Sequence, residues 1–149
     1  MVSTILVPTD GSPTANRAGA YAVDLAKQLH ASIIGLSIID KRLLVIRTMS
    51  VDASHVGVAE SLDDFLREAA ERSVGEIAQL CEKAGVPARM MVLAGHPVEE
   101  IVNEAEKLKA DLIVMGSHGQ SALVAAALGS TTYGVIHKDT AVPVLVVRR

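Results

Sequence analysis

Apolar positions follow two rhythms along this chain. Short unbroken apolar runs alternate with longer stretches in which apolar residues recur every three or four positions. The runs at residues 3–8, 31–39, 88–94, 111–115 and 142–147 predict five strands, and their near-continuous Val, Ile and Leu content is the habit of strands buried on both faces of a parallel sheet. After the first, Ala15, Ala18, Ala22, Leu25, Ala26 and Leu29 recur at helical spacing. Ser12 is placed to cap that helix and Pro13 to occupy its first position. Over residues 61–84, Leu62, Leu66, Ala70, Val74, Ile77, Cys81 and Ala84 form a second stripe, and Gly85 ends it. The charges on its other side, from Asp63 and Asp64 to Glu82, are those of a solvated helix face. Gly95-His96-Pro97 opens a third helix with Val98, Ile101, Val102, Ala105 and Leu108 inward, and Glu99 and Glu100 in its first turn suit the positive helix end. A further helix is expected over residues 130–138. Residues 40–60 lose periodicity, and a connection of that length is usually functional: it could close over a ligand or pack on a partner.

Strands alternating with helices through right-handed crossovers give an α/β fold, a single-domain open five-stranded parallel sheet with helices on both faces. At 149 residues, with no internal repeat or linker, the expectation is one domain over residues 1–149. Half of the chain is hydrophobic, yet its only aromatic residues are Tyr21, Phe65 and Tyr133. The core must therefore be aliphatic. The net charge of −3 with interspersed signs, and the lack of aromatic stacking platforms, argue against direct nucleic-acid binding. A single cysteine, Cys81, excludes a disulfide framework and a Cys-based zinc site. No apolar run has membrane-spanning length and no basic region precedes the first one, so a soluble cytoplasmic protein without membrane association is expected.

The chemistry concentrates in the segment after the fourth strand, Gly116-Ser117-His118-Gly119-Gln120-Ser121-Ala122, followed by an apolar helical stretch and then Gly129-Ser130-Thr131-Thr132. Glycines there let backbone approach a ligand closely, and free amides at two places join several hydroxyls, a combination suited to phosphate oxygens. A glycine-rich turn that binds nothing is the bland alternative. The segment is neither a Walker A loop nor a dinucleotide fingerprint. His30, His55, His96 and His137 are scattered without metal-ligand spacing, and no nucleophile elbow occurs.

The spacing Gly-x2-Gly-x9-Gly-Ser at Gly116, Gly119, Gly129 and Ser130 resembles the signature of the universal stress protein family on its ATP-binding branch. The opening Ile5-Leu-Val-Pro-Thr-Asp-Gly-Ser, the run Asp111-Leu-Ile-Val-Met-Gly-Ser-His-Gly, Leu128-Gly-Ser and the ending Val142-Pro-Val-Leu-Val-Val extend the resemblance over essentially the whole chain outside residues 40–60. It implies a Rossmann-like sheet of order 3-2-1-4-5, in which strands one and four adjoin where the winding reverses and ligands bind at their carboxyl ends. It also implies that Asp10 receives the ribose hydroxyls, that Pro8 and Thr9 line the same side, and that the backbone of Ile38 meets the adenine edge. Gly116, Ser117, His118, Gly119, Gln120, Ser121 and Ala122, with Gly129, Ser130, Thr131 and Thr132, would wrap the phosphates. Mg²⁺, where present, would ride on phosphate oxygens. The implied assembly is a homodimer through the apolar edge strand Val142 to Val147.

One departure bears on the ligand. Family members often carry Lys or Arg after the second glycine and in the following helix, whereas here Gln120 takes the first place. No Lys or Arg lies between Lys109 and Lys138, and His118 is the one titratable group of the segment. AMP or a cyclic nucleotide therefore stands beside ATP as occupant. The leading expectation is an adenine-nucleotide-binding regulatory protein in stress response, acting on a protein partner through its occupancy. The alternatives are a slow ATP hydrolase using the same pocket and a nucleotide-free dimeric interaction module. No general base or cationic clamp beyond His118 is evident, so no catalytic residue is assigned.

Overall fold

A computed structural model describes residues 1–43, 56–119 and 128–148. Its order is β1 (Thr4–Pro8), α1 (Pro13–Leu29), β2 (Ser32–Asp40), α2 (Val56–Ala84), β3 (Ala88–Gly95), α3 (Pro97–Lys107), β4 (Leu112–Gly116), α4 (Ser130–His137) and β5 (Val144–Val147). All strand pairs are parallel, in the order β3-β2-β1-β4-β5, as the resemblance implied.

The helix caps arise from local sequence. Ser12 is extended and its hydroxyl accepts from the Ala15 amide at 3.2 Å, while Pro13 opens α1 without an amide to leave unpaired. At the other end His30 adopts a left-handed conformation (φ 54°) that turns the chain into β2. Leu29, read as part of the buried stripe, is exposed because the helix unwinds directly behind it.

Two apolar layers sandwich the sheet. On one face Ala18, Ala22, Val23 and Ala26 of α1 and Ile77 and Cys81 of α2 cover Ile5, Val7, Ile33 and Val114. The small side chains of α1 let it lie close to the strands. On the other face Ile101, Val102 and Ala105 of α3 and Val135 of α4 cover Leu6, Ile34, Leu36, Ile113 and Met115.

Several boundaries differ from expectation. β5 begins at Val144 rather than Val142, because Pro143 has no amide for the ladder; its carbonyl still accepts from the Ile113 amide at 2.9 Å. α2 begins at Val56, within the stretch that carried no clear period. The helical segment expected between Gln120 and Leu128 falls on residues outside those described, apart from Leu128 itself.

Candidate functional site

The carboxyl ends of β1 and β4 lie side by side at the centre of the sheet, where the winding direction reverses. The segments leaving both strands converge there. Beyond β1 the Thr9 amide donates to the Leu36 carbonyl at 2.8 Å, carrying the β1–β2 ladder one residue further and burying Thr9. Asp10 then emerges, exposed, with Oδ1 accepting from the Ser12 amide at 2.9 Å. This turn, with Gly11 at φ 76°, leads into the first turn of α1.

Beyond β4 the chain passes over that first turn. A Cβ on Gly116 would stand 2.9 Å from the Thr14 carbonyl carbon and oxygen, so the strand end and helix start meet backbone to backbone. The Thr14 hydroxyl donates to the His118 carbonyl at 2.8 Å. Gly119 then reaches the Asp10 carboxylate: a Cβ there would lie 2.5 Å from Oδ2. Two segments more than a hundred residues apart thus share one crevice, with one oxygen of Asp10 serving its turn and the other facing the glycine.

The start of α4 completes the wall. Gly129 caps the helix without a side-chain bond, and its amide donates to the Ser117 carbonyl at 2.6 Å. A Cβ on Gly129 would come within 3.1 Å of the His118 Cα. The first intrahelical bond runs from the Tyr133 amide to the Gly129 carbonyl, so the amides of Ser130, Thr131 and Thr132 precede the helical ladder and, with the helix dipole, mark its positive end. The N-termini of α1 and α4 both abut residues 116–119.

The donors anticipated here divide into two sets. Two amides are used within the chain: Ser117 donates to the Val147 carbonyl at 3.0 Å, and Gly129 donates as above. The buried Thr132 hydroxyl donates to the Gly116 carbonyl at 2.7 Å, tying α4 to the end of β4. These three groups build the wall. The Ser117 hydroxyl lies 2.9 Å from Nδ1 of His118, which fixes the imidazole ring of a half-buried residue. Gln120, Ser121 and Ala122 lie outside the described residues. Thr14 is a site-building residue that sequence reasoning missed. Its signal was a polar residue beside Ala15 on the face turned to the sheet.

Pro8 is buried at the end of β1, opposite Leu36 of β2. Ile38 is half-buried further along β2, opposite Leu93. Asp40 closes β2 and holds Arg42 through both oxygens, at 2.7 Å from Nη2 and 3.0 Å from Nε. That guanidinium keeps the Asp40 carboxyl below the ordinary carboxylate range. Among the described residues no group of three His, Cys, Asp or Glu could hold a metal ion, and no helix is long and apolar enough to cross a membrane.

Comparison with known proteins places this architecture. The profile of the universal stress protein family matches residues 1–148. Universal stress protein MJ0577 of Methanocaldococcus jannaschii is 37% identical, covering all of this chain and 96% of that protein. Its solved structure superposes with a TM-score of 0.84 at 35% identity, over all of this chain and 97% of that one. Universal stress protein MJ0531 of the same organism is 35% identical over 97% of this chain and 81% of its own length. A universal stress protein solved in complex with cAMP is 26% identical, with a TM-score of 0.64 over 99% of this chain and 97% of that one. The chain belongs to the universal stress protein family.

Proposed function

We propose that this protein binds an adenine nucleotide in the crevice between the β1–α1 turn and the glycine segment after β4, and that occupancy regulates its association with a protein partner. The observation that carries the reading is the meeting of Asp10 with Gly119, a carboxylate brought close to a backbone position that carries no side chain. A related protein of the same fold has been solved with cAMP, which supports a nucleotide of this class.

In this reading Asp10 Oδ2 accepts from ribose hydroxyls, its Oδ1 remaining on the turn. Pro8 and Thr9 line the sugar side, and the backbone at Ile38 meets the adenine edge. The phosphates lie against Gly119, Gln120, Ser121 and Ala122 and the first amides of α4 at Ser130 and Thr131, where the helix end favours an anion. Gly116, Ser117, Gly129 and Thr132 act from behind, holding α1 and α4 at the right separation. Mg²⁺ would be carried by the phosphates rather than by a protein cage. A ligand spanning Asp10 and α4 would bridge the β1–α1 turn and the start of α4, which is how occupancy would alter the surface a partner reads. The chain would act as a homodimer through the β5 edge.

Calorimetric titration of ligand-stripped protein with AMP, ATP, cAMP and adenosine tests this. Saturable one-site binding that Asp10→Ala weakens at least tenfold is the expected result. No uptake of any of the four at millimolar concentration would refute it.

A further inference from the structure

We infer that Thr14 is a positioning residue of the nucleotide site: its hydroxyl locks the His118–Gly119 peptide in the orientation that turns the Gly119 N–H toward the bound phosphate. The inference rests on the nucleotide reading above and names what orients one of the donors in it.

Thr14 is buried in the first turn of α1, and its hydroxyl donates to the His118 carbonyl at 2.8 Å. A carbonyl and the N–H that follows it belong to one rigid plane. In a trans peptide, the form taken throughout the described residues, the two point in opposite directions. Holding the oxygen against α1 therefore turns the Gly119 N–H away from α1. The nitrogen itself stands on the side where α4 begins, 3.3 Å from the position a Cβ on Gly129 would take. Among the described residues no acceptor takes this amide, and the same holds for the Ser130 and Thr131 amides at the start of α4. The Ser117 and Gly129 amides, by contrast, are occupied by the Val147 and Ser117 carbonyls. The plane thus spans the two helix starts, with its oxygen on α1 and its donor beside the first amides of α4.

Without the hydroxyl this orientation loses its anchor. A peptide plane can turn over while its flanking Cα atoms barely move, by rotation about ψ of the first residue and φ of the second. Gly119 is not among the glycines with positive φ, and a turned plane would carry it toward that region, which glycine enters without steric cost. At a residue with a side chain, sterics would help to hold the plane. At Gly119 the hold has to come from a partner for the His118 carbonyl, and Thr14 supplies one. Because the Cα atoms stay in place, Gly119 remains beside Asp10 in either orientation, so the sugar side of the crevice is preserved and the phosphate side is altered.

The experiment titrates AMP and adenosine calorimetrically into stripped full-length protein, unaltered or carrying Thr14→Val, Thr14→Ala or Thr14→Ser, with thermal unfolding of each followed by circular dichroism. Valine keeps the shape of threonine and removes the donor, alanine removes the donor without placing a methyl against the carbonyl, and serine keeps the donor. Thr14→Val and Thr14→Ala should each weaken AMP about tenfold, the loss of one hydrogen bond to a charged group, and leave adenosine, which has no phosphate, unchanged. Thr14→Ser should bind AMP as the unaltered protein does. A Thr14 that served stability alone would lower Tm while weakening both ligands alike or neither. AMP affinity untouched by Thr14→Val and Thr14→Ala, equal losses for AMP and adenosine, or a Thr14→Ser protein as weak as Thr14→Val would overturn the inference while leaving the nucleotide reading intact. Failure of the unaltered protein to bind either ligand would remove that reading and this inference with it.

Discussion

Placing an alanine at Gly116 tests the claim that the site is held by backbone packing behind it. The new Cβ would stand 2.9 Å from the carbonyl carbon and oxygen of Thr14 and 3.0 Å from the Ala15 amide nitrogen. These are backbone atoms of a capped helix turn, so no flexible side chain can move aside. Relief to ordinary contact requires the start of α1 to shift by roughly half an ångström, which interiors resist because they are close-packed. That turn is also pinned by Ser12 at the cap and by the Thr14 hydroxyl on His118. Overpacking of this kind costs about 1–3 kcal/mol. In a 149-residue domain each kcal/mol moves Tm by about 2–4 °C, giving a fall of about 2–12 °C. Gly75 provides the internal comparison, since it lies in α2 with nothing among the described residues within 4 Å of an added Cβ. Gly75→Ala should leave Tm unchanged or raise it by about 1–3 °C through helix propensity alone. Thermal unfolding followed by circular dichroism measures both. A Gly116→Ala protein as stable as the unaltered one would refute the packing argument.

Gly119→Ala acts on the proposed ligand side instead: among the described residues its Cβ meets only the end of the Asp10 side chain, so Tm should hold while Asp10 is displaced and nucleotide affinity falls at least tenfold by calorimetry. Asp111 accepts from the Ser3 amide, the Ser3 hydroxyl and the Thr4 amide, and these bonds, the Ser3 amide foremost, hold its carboxyl below the ordinary range. The unfolded chain therefore takes up that proton first, near the ordinary carboxylate value of about 4. The stabilisation is complete above it and lost as pH falls through the lower native value. Urea midpoints between pH 7 and 3 should fall less steeply for Asp111→Asn. Cys81 is buried under α1 and burial pushes its thiol up. Labelling by a thiol reagent should track the rate of unfolding, and prompt modification of the native protein would contradict its placement. Val146→Lys on the β5 edge should yield a monomer by sedimentation, and an unaltered dimer would refute assembly through that strand.

The fold was legible because each level of the sequence pointed the same way. Unbroken apolar runs separated by helical stripes left little but a doubly covered parallel sheet, and Ser12-Pro13 announced α1 by its capping chemistry. Boundaries were less legible where one residue has two properties. Pro143 belongs to an apolar run yet cannot donate to the ladder, so β5 starts after it. The meeting of the β1–α1 turn with the segment after β4 was legible as a place more than as a division of labour. Glycine spacing drew attention to the segment, but spacing does not distinguish a glycine that meets another helix's backbone from one that faces a side chain. Gly116 belongs to the first kind through its contact with Thr14, whereas Gly119 faces Asp10. The commitment of Thr132 to the Gly116 carbonyl depends on how α4 docks over β4, which no local pattern encodes. Glu104 is similar: it reads as one more helix-surface charge, yet it is buried beside Lys107 at 3.2 Å.

The most direct measurement is a crystal structure of the protein grown with AMP. Density for the nucleotide is expected across the carboxyl ends of β1 and β4, with ribose hydroxyls on the Asp10 carboxylate and the phosphate between Gly119 and the first amides of α4. Nucleotide density elsewhere on the molecule, or Asp10 and Gly119 still in mutual contact with no ligand between the two helix ends, would contradict a nucleotide site in this crevice.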